Sequence, residues 1–422
     1  MFASGEFSLR HFVFPNLFRF LIASVSFAGL LMIFALPTIR NFYVERLTSS
    51  VAEIPVRNYS VPRVGWSETD HLTDCIALSI NVPDGAANQR FWRYPVDNPA
   101  IYQSGGTAIG CQQLTEFLLA PSENYEYVSN YSRFWHGYIV IIQPLVMVGG
   151  IKFASYTIAA VLIALTSLLF LNLERRARGS GLLFLSVFLI QPNANILLSM
   201  SHTISLIVVF VFCILILNQD IDGFHFILKS GFVFGAIIGF VSWLTYPALF
   251  VGLPVAVICT STHSRGIRLA FNAAVSCSLI FLGWGGIWLL KIKVSQLFGI
   301  STDLAMNQFN AWVKQPDYAQ IPSKLLTQVL SHLKTTWYLA VITLAALVKL
   351  QSYSDQLSKL VPGLAIPAVC SAAYWILLNG HSDHSFSYTN FWGIAVLLMV
   401  GISTIAVRSI RLFSKITSSG IS

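Results

Sequence analysis

Stretches of about twenty apolar residues recur along this chain with almost no charge inside them, and that pattern limits the fold more than any other feature. In water a surface this size needs charge to cover it. Only 10% of the 422 residues are charged and 55% are hydrophobic, against about 25% charged in an ordinary soluble domain. The apolar runs therefore call for lipid. The expected fold is all-α: a polytopic membrane bundle of about ten spans forming one transmembrane domain over 1–422.

The expected spans are 18–37, 153–173, 180–195, 197–217, 230–245, 247–261, 269–290, 336–350, 360–378 and 391–408. Two long runs are divided at proline, at Tyr246-Pro247 and around Gln191-Pro192-Asn193, because proline lacks an N–H and disfavours helix in the residue before it. The run Phe20–Leu36 ends without a small-residue cleavage site and reads as a retained first span, not a removed signal.

An even span count puts both termini on one side. With both cytoplasmic, the inner segments hold thirteen bases, among them Arg10, Arg19, Arg175, Arg176, Arg178, Lys229, Arg265 and Arg268, against five acids. That difference equals the whole formal charge of +8, and the outer bases and acids cancel. The positive-inside rule favours this orientation. The bases do not cluster on a soluble module, so nucleic acid is excluded as a partner and the lipid bilayer is the expected one.

The outer side then owns a large loop, 38–152, with juxtamembrane helices, and a second loop, 291–335, whose apolar pattern suggests helices lying on the membrane. Cys75 and Cys111 are the only cysteines of the first loop. In an oxidising compartment they form a disulfide candidate, with two free thiols as the other reading.

Three polar constellations face outward. In the first, Glu68, Asp70 and Asp74 surround His71. On a helix Asp70 and Asp74 share a face at i, i+4, suiting a divalent cation or a general base; the plainer reading is a solvated loop that caps a helix. In the second, Arg133-Phe134-Trp135-His136-Gly137-Tyr138, Arg133 and His136 suit a phosphate among aromatic rings, whereas an interfacial aromatic belt explains the rings alone. The third, His381-Ser382-Asp383-His384 with Tyr388, could bind an acceptor, a phosphate or a metal, or be a polar loop tip. His202, near the outer end of the fourth span, is the best intramembrane ionisable residue. No Walker loop, GxGxxG after a strand, HExxH or GxSxG stands in convincing context.

The layout resembles the integral-membrane glycosyltransferases of the C-type (GT-C) superfamily, through the acidic stretch Glu68–Asp74 near the start of a long first outer loop. The Arg133–Tyr138 and His381–His384 elements are similar to those of uncharacterised bacterial membrane proteins from surface-polysaccharide gene clusters. The resemblance implies a glycosyltransferase of the bacterial inner (plasma) membrane, acting in cell-envelope polysaccharide biosynthesis. It would move a sugar from a lipid-linked (polyprenyl) phosphate donor to a glycan or lipid acceptor outside. It implies Asp70 as catalytic base, with Glu68 or Asp74 standing in, and Arg133 with His136, or His381 with His384, as donor-phosphate contacts; His202, Asp383 and Tyr388 join them as substrate-contact candidates from the polar clusters themselves. A polysaccharide or lipid-carrier transporter or flippase, and a non-catalytic membrane subunit of such a system, are the alternatives. A transporter should carry charge in mid-span, where this chain has almost none.

Overall fold

The computed structural model describes residues 9–34, 36–55, 59–60, 69–80, 82, 100–103, 110–120, 125–128, 135–176, 180–182, 184–185, 199–219, 223–241, 247–262, 264–300 and 302. Expected spans 336–350, 360–378 and 391–408, most of 180–195 and most of the second loop lie outside them.

The described chain is a helical membrane protein. Its helices are α1 (Leu9–Phe34), α2 (Pro37–Ser49), α3 (His71–Ser79), α4 (Cys111–Leu119), α5 (Ile139–Arg176), α6 (Met200–Leu217), α7 (Gly223–Val241), α8 (Pro247–Ser261) and α9 (Gly266–Leu297). A 3₁₀ turn, Val51–Glu53, follows α2. Two short antiparallel ribbons interrupt the first loop: β1 (Tyr59–Ser60) with β2 (Thr69–Asp70), and β3 (Ala100–Gln103) with β4 (Tyr125–Val128). Among the described residues α5, α6, α7 and α9 are long and apolar enough to cross a membrane; α1 and α2, meeting at 65°, add a fifth if they form one broken span.

Lipid exposure is legible in α5. Ala154, Ile158, Leu162, Leu169 and Leu173 are buried along one face, while Phe153, Tyr156, Ile163, Leu168 and Leu171 are exposed on the other. Both faces are apolar. In water that would be an unstable surface; in hydrocarbon it is the expected one. In α6, by contrast, Ile204, Leu206, Val209, Phe210 and Cys213 are all 0% exposed, so this helix stands at the centre. α7 and α9 pack backbone to backbone. A Cβ on Gly235 would lie 2.0 Å from the Ile280 carbonyl oxygen, and one on Gly283 would lie 1.9 Å from that of Phe232. Small residues permit this approach, which substitutes dispersion and close fit for the hydrophobic drive that lipid removes.

Helix boundaries differ from the sequence expectation where local chemistry intervenes. α5 starts at Ile139 but breaks at Gly150, whose φ of 82° only glycine adopts readily. The expected span 153–173 corresponds to the part beyond the break. There the backbone N–H of Lys152 donates to the Glu53 carboxylate at 2.8 Å, so the 3₁₀ turn caps the restarted helix. α7 is described as far as Val241, and α8 begins on Pro247, a residue suited to a first helical turn. α9 runs past the expected limit of 290 to Leu297, because buried Lys291, Ile292 and Ser295 keep its inward face continuous.

Tertiary bonds identify the two ends of the bundle. At one end an Arg176 guanidinium N–H donates to the Leu217 carbonyl, and Arg19 donates to that of Lys229 at 3.0 Å. Arg19, Arg175, Arg176, Lys229, Arg265 and Arg268 belong to this end, where Glu174 is the only acid among the described residues. At the other end Gly137 N–H donates to the Phe240 carbonyl, Trp135 to Ile287 and Ser205 to Val241.

A candidate site at the loop-capped end of the bundle

α3 is nine residues long, too short to be stable alone. Residues Thr73 to Ile80 are nonetheless all buried, and the surroundings hold the helix at its middle and at its C-terminal end. At its C-terminal end the carbonyls of Leu78, Ile80 and Val82 accept from Tyr43 (2.8 Å), Gln143 (3.2 Å) and Arg40 (3.3 Å). These bonds from α2 and α5 satisfy groups that the helix cannot pair itself. At its middle Cys75 is joined by a disulfide to Cys111, the first residue of α4, with Cα atoms 5.1 Å apart.

Asp74, one residue before that bridge, is 5% exposed and reaches the N-terminus of α6. Its Oδ1 accepts from the Ser199 hydroxyl (3.1 Å), the Ser201 hydroxyl (2.7 Å) and the Ser201 N–H (3.0 Å); its Oδ2 accepts from the Met200 N–H (2.8 Å). Ser199 occupies the N-cap position, where its hydroxyl would ordinarily close the first turn. Here it donates to Asp74 instead, and a distant carboxyl does the capping. Burial pushes the Asp74 carboxyl above the usual aspartate range; the bonds from Ser201 and Met200 and the nearby His202 pull the other way without overcoming it. His202 lies in the same first turn, 4% exposed.

This geometry changes the role sequence reasoning allowed Asp74. Its oxygens are engaged by α6, so it positions that helix and is badly placed to take a proton from an acceptor. Asp70 ends β2 opposite Tyr59, at the start of α3, so the two aspartates belong to one short segment. Glu68, Arg133, His381, Asp383, His384 and Tyr388 lie outside the described residues. No group of three His, Cys, Asp or Glu among the described residues could hold a metal ion.

A second cluster gathers around the start of α5. The Trp135 indole N–H donates to the Ile287 carbonyl at 2.9 Å, fixing the ring against α9. One helical turn further, Lys291 places its ammonium 4.8 Å from the centroid of that ring. Lys291 did not stand out in the sequence, although a base directly after Trp288-Leu289-Leu290 was the available signal. His136 is 1% exposed; its Nδ1 lies 2.5 Å from the Tyr138 hydroxyl. Its φ of 51° makes it the one non-glycine residue with positive φ among those described, an arrangement that costs energy and persists where neighbours enforce it. Cys75, Cys111, Trp135, Tyr138, Met200, Phe240 and Ile287 belong to one apolar cluster, so both polar groups border the same core.

A buried cation, two imidazoles and a carboxyl-capped helix at one end of a membrane bundle can hold an anionic group and orient proton transfers. No family model, curated protein or solved structure matches the chain.

Proposed function

We propose that the chain is a C-type integral-membrane glycosyltransferase of about ten spans, with both termini cytoplasmic, in a bacterial inner membrane. It would transfer a sugar from a polyprenyl-phosphate donor to a glycan or lipid acceptor at the outer face. One observation carries this reading: buried Asp74, His136, His202 and Lys291 gather at the end of the bundle opposite the arginine-rich end. Chemistry confined to one membrane boundary suits a donor whose phosphate lies at the headgroup level and whose tail lies in lipid.

In this reading Asp70 or Glu68 takes the proton of an acceptor hydroxyl. The oxygen then bonds to the anomeric carbon, the bond from that carbon to the phosphate oxygen breaks, and the lipid phosphate leaves with the electron pair. Lys291, Arg133 and His136 offset its growing charge, and His202, His381, Asp383, His384 and Tyr388 orient the partners. Asp74 holds the frame. The reaction draws on no nucleotide hydrolysis.

The test is transfer of a labelled sugar from a polyprenyl-phosphate donor by the full chain in nanodiscs. Asp70→Asn should lower turnover about 10²–10⁴-fold, the usual effect of removing a general base, at unchanged membrane level. Turnover untouched by both Asp70→Asn and Lys291→Met would sink the assignment. The transporter reading has one observation of its own, the break in α5 at Gly150, since transporters use interrupted helices. Movement of intact donor across sealed vesicles without sugar release would favour it.

A further inference from the structure

Asp74 and Cys75 are neighbours on α3 but hold different parts of the molecule. Asp74 satisfies the first turn of α6, and Cys75 ties α3 to α4. The far end of α3 is secured by Tyr43, Gln143 and Arg40. The half that carries Asp74 has its covalent anchor at Cys75. We propose that the Cys75–Cys111 bridge is a redox latch that keeps Asp74 seated on α6, so that the oxidation state of the bridge decides whether the loop end of the central helix is capped.

Three observations support the latch. The bridge closes a sequence separation of 36 residues, so opening it returns considerable freedom to the chain between α3 and α4. The N–H groups of Met200 and Ser201 stand at the start of α6, where a helix offers them no internal acceptor, and both donate to Asp74. Ser199 and Ser201 also turn their hydroxyls to Asp74, so when that carboxyl leaves, four donors lose their acceptor together. Opening the latch converts one S–S bond to two thiols. A dithiol reductant supplies two electrons and two protons and becomes a disulfide itself. Cys75 and Cys111 are 0% exposed, so a reductant meets the bridge only after local opening. The cap would therefore set where thiols are oxidised, and the chain would mature on reaching such a compartment.

Hydrogen–deuterium exchange of the full chain in nanodiscs tests it, read at the Met200 and Ser201 amides. The paired variant Cys75→Ser with Cys111→Ser should exchange there about a hundredfold faster, the scale expected for loss of a native bridge, while amides from Leu206 to Leu217 keep their protection. In an Asp74→Leu background, removing the bridge should add little, because the two changes break one device. Dithiol treatment of assembled wild-type protein should reproduce the change, which covers the case where the paired variant fails to assemble. Unchanged protection without the bridge, loss of protection along all of α6, full additivity with Asp74→Leu, or free thiols at Cys75 and Cys111 in protein kept oxidised would each overturn the latch.

Discussion

Asp74 and Ser201 meet twice: one carboxyl oxygen accepts both the Ser201 hydroxyl, at 2.7 Å, and the Ser201 backbone N–H, at 3.0 Å. The two residues come from different elements, and their pairing joins the first loop to the central helix. Ser201→Ala removes the hydroxyl alone and should cost about 1 kcal/mol, the net value of a hydrogen bond. Asp74→Leu strands every donor at the start of α6 and should cost about 2–4 kcal/mol, a lost cap together with buried unsatisfied groups. Unfolding of purified protein in mixed micelles measures both, and equal effects would mean that Asp74 is not the cap.

The same carboxyl gives a pH dependence of defined sign. Burial raises its pKa above the ordinary aspartate range, so the folded chain holds that proton more tightly than the unfolded one. Its contribution to stability is complete below the unfolded value and is lost as pH climbs through the folded value. The melting temperature of the wild type relative to Asp74→Asn should therefore fall from mildly acidic to neutral pH. A rise over that interval would show that the hydrogen bonds outweigh desolvation.

Backbone contact between α7 and α9 makes some glycines irreplaceable and leaves others free. Gly235→Ala would push a methyl group to 2.0 Å from the Ile280 carbonyl oxygen, a rigid neighbour. Overpacking of that kind costs about 1–3 kcal/mol. Gly285→Ala, with nothing within 4 Å, should be neutral or mildly stabilising through helix propensity. Thermal stability of the two variants side by side checks the interface.

Gly150 breaks α5 with φ 82° and ψ −177°, a conformation essentially reserved for glycine. Gly150→Ala should cost about 1–3 kcal/mol from backbone strain, and its methyl group would also approach the Ser50 hydroxyl to 2.7 Å. Resistance to limited proteolysis between α2 and α5 reports it; wild-type resistance would show that α5 runs straight through.

The sequence makes the membrane helices legible because lipid solvation needs length and apolarity, and both are local properties. The start of α8 on Pro247 was visible for the same reason, since proline acts on its own neighbourhood. Asp74 stood out as an acid in the first loop, but its role did not, because its partner Ser199 lies 125 positions away. Lys291 was hidden by its place at the edge of an apolar run, where only the seat of Trp135 reveals that it points inward. The His136 backbone could not be read at all, since nothing in Trp-His-Gly announces positive φ on the histidine.

The bond from Glu53 to the Lys152 N–H gives the first connection a second duty. Glu53 follows α2 by only a few positions, so the end of α2 and the restart of α5 beyond Gly150 are geared together. Adding or deleting one residue between Ser50 and Glu53 would move one against the other, as moving the mark on a gauge shifts everything measured from it.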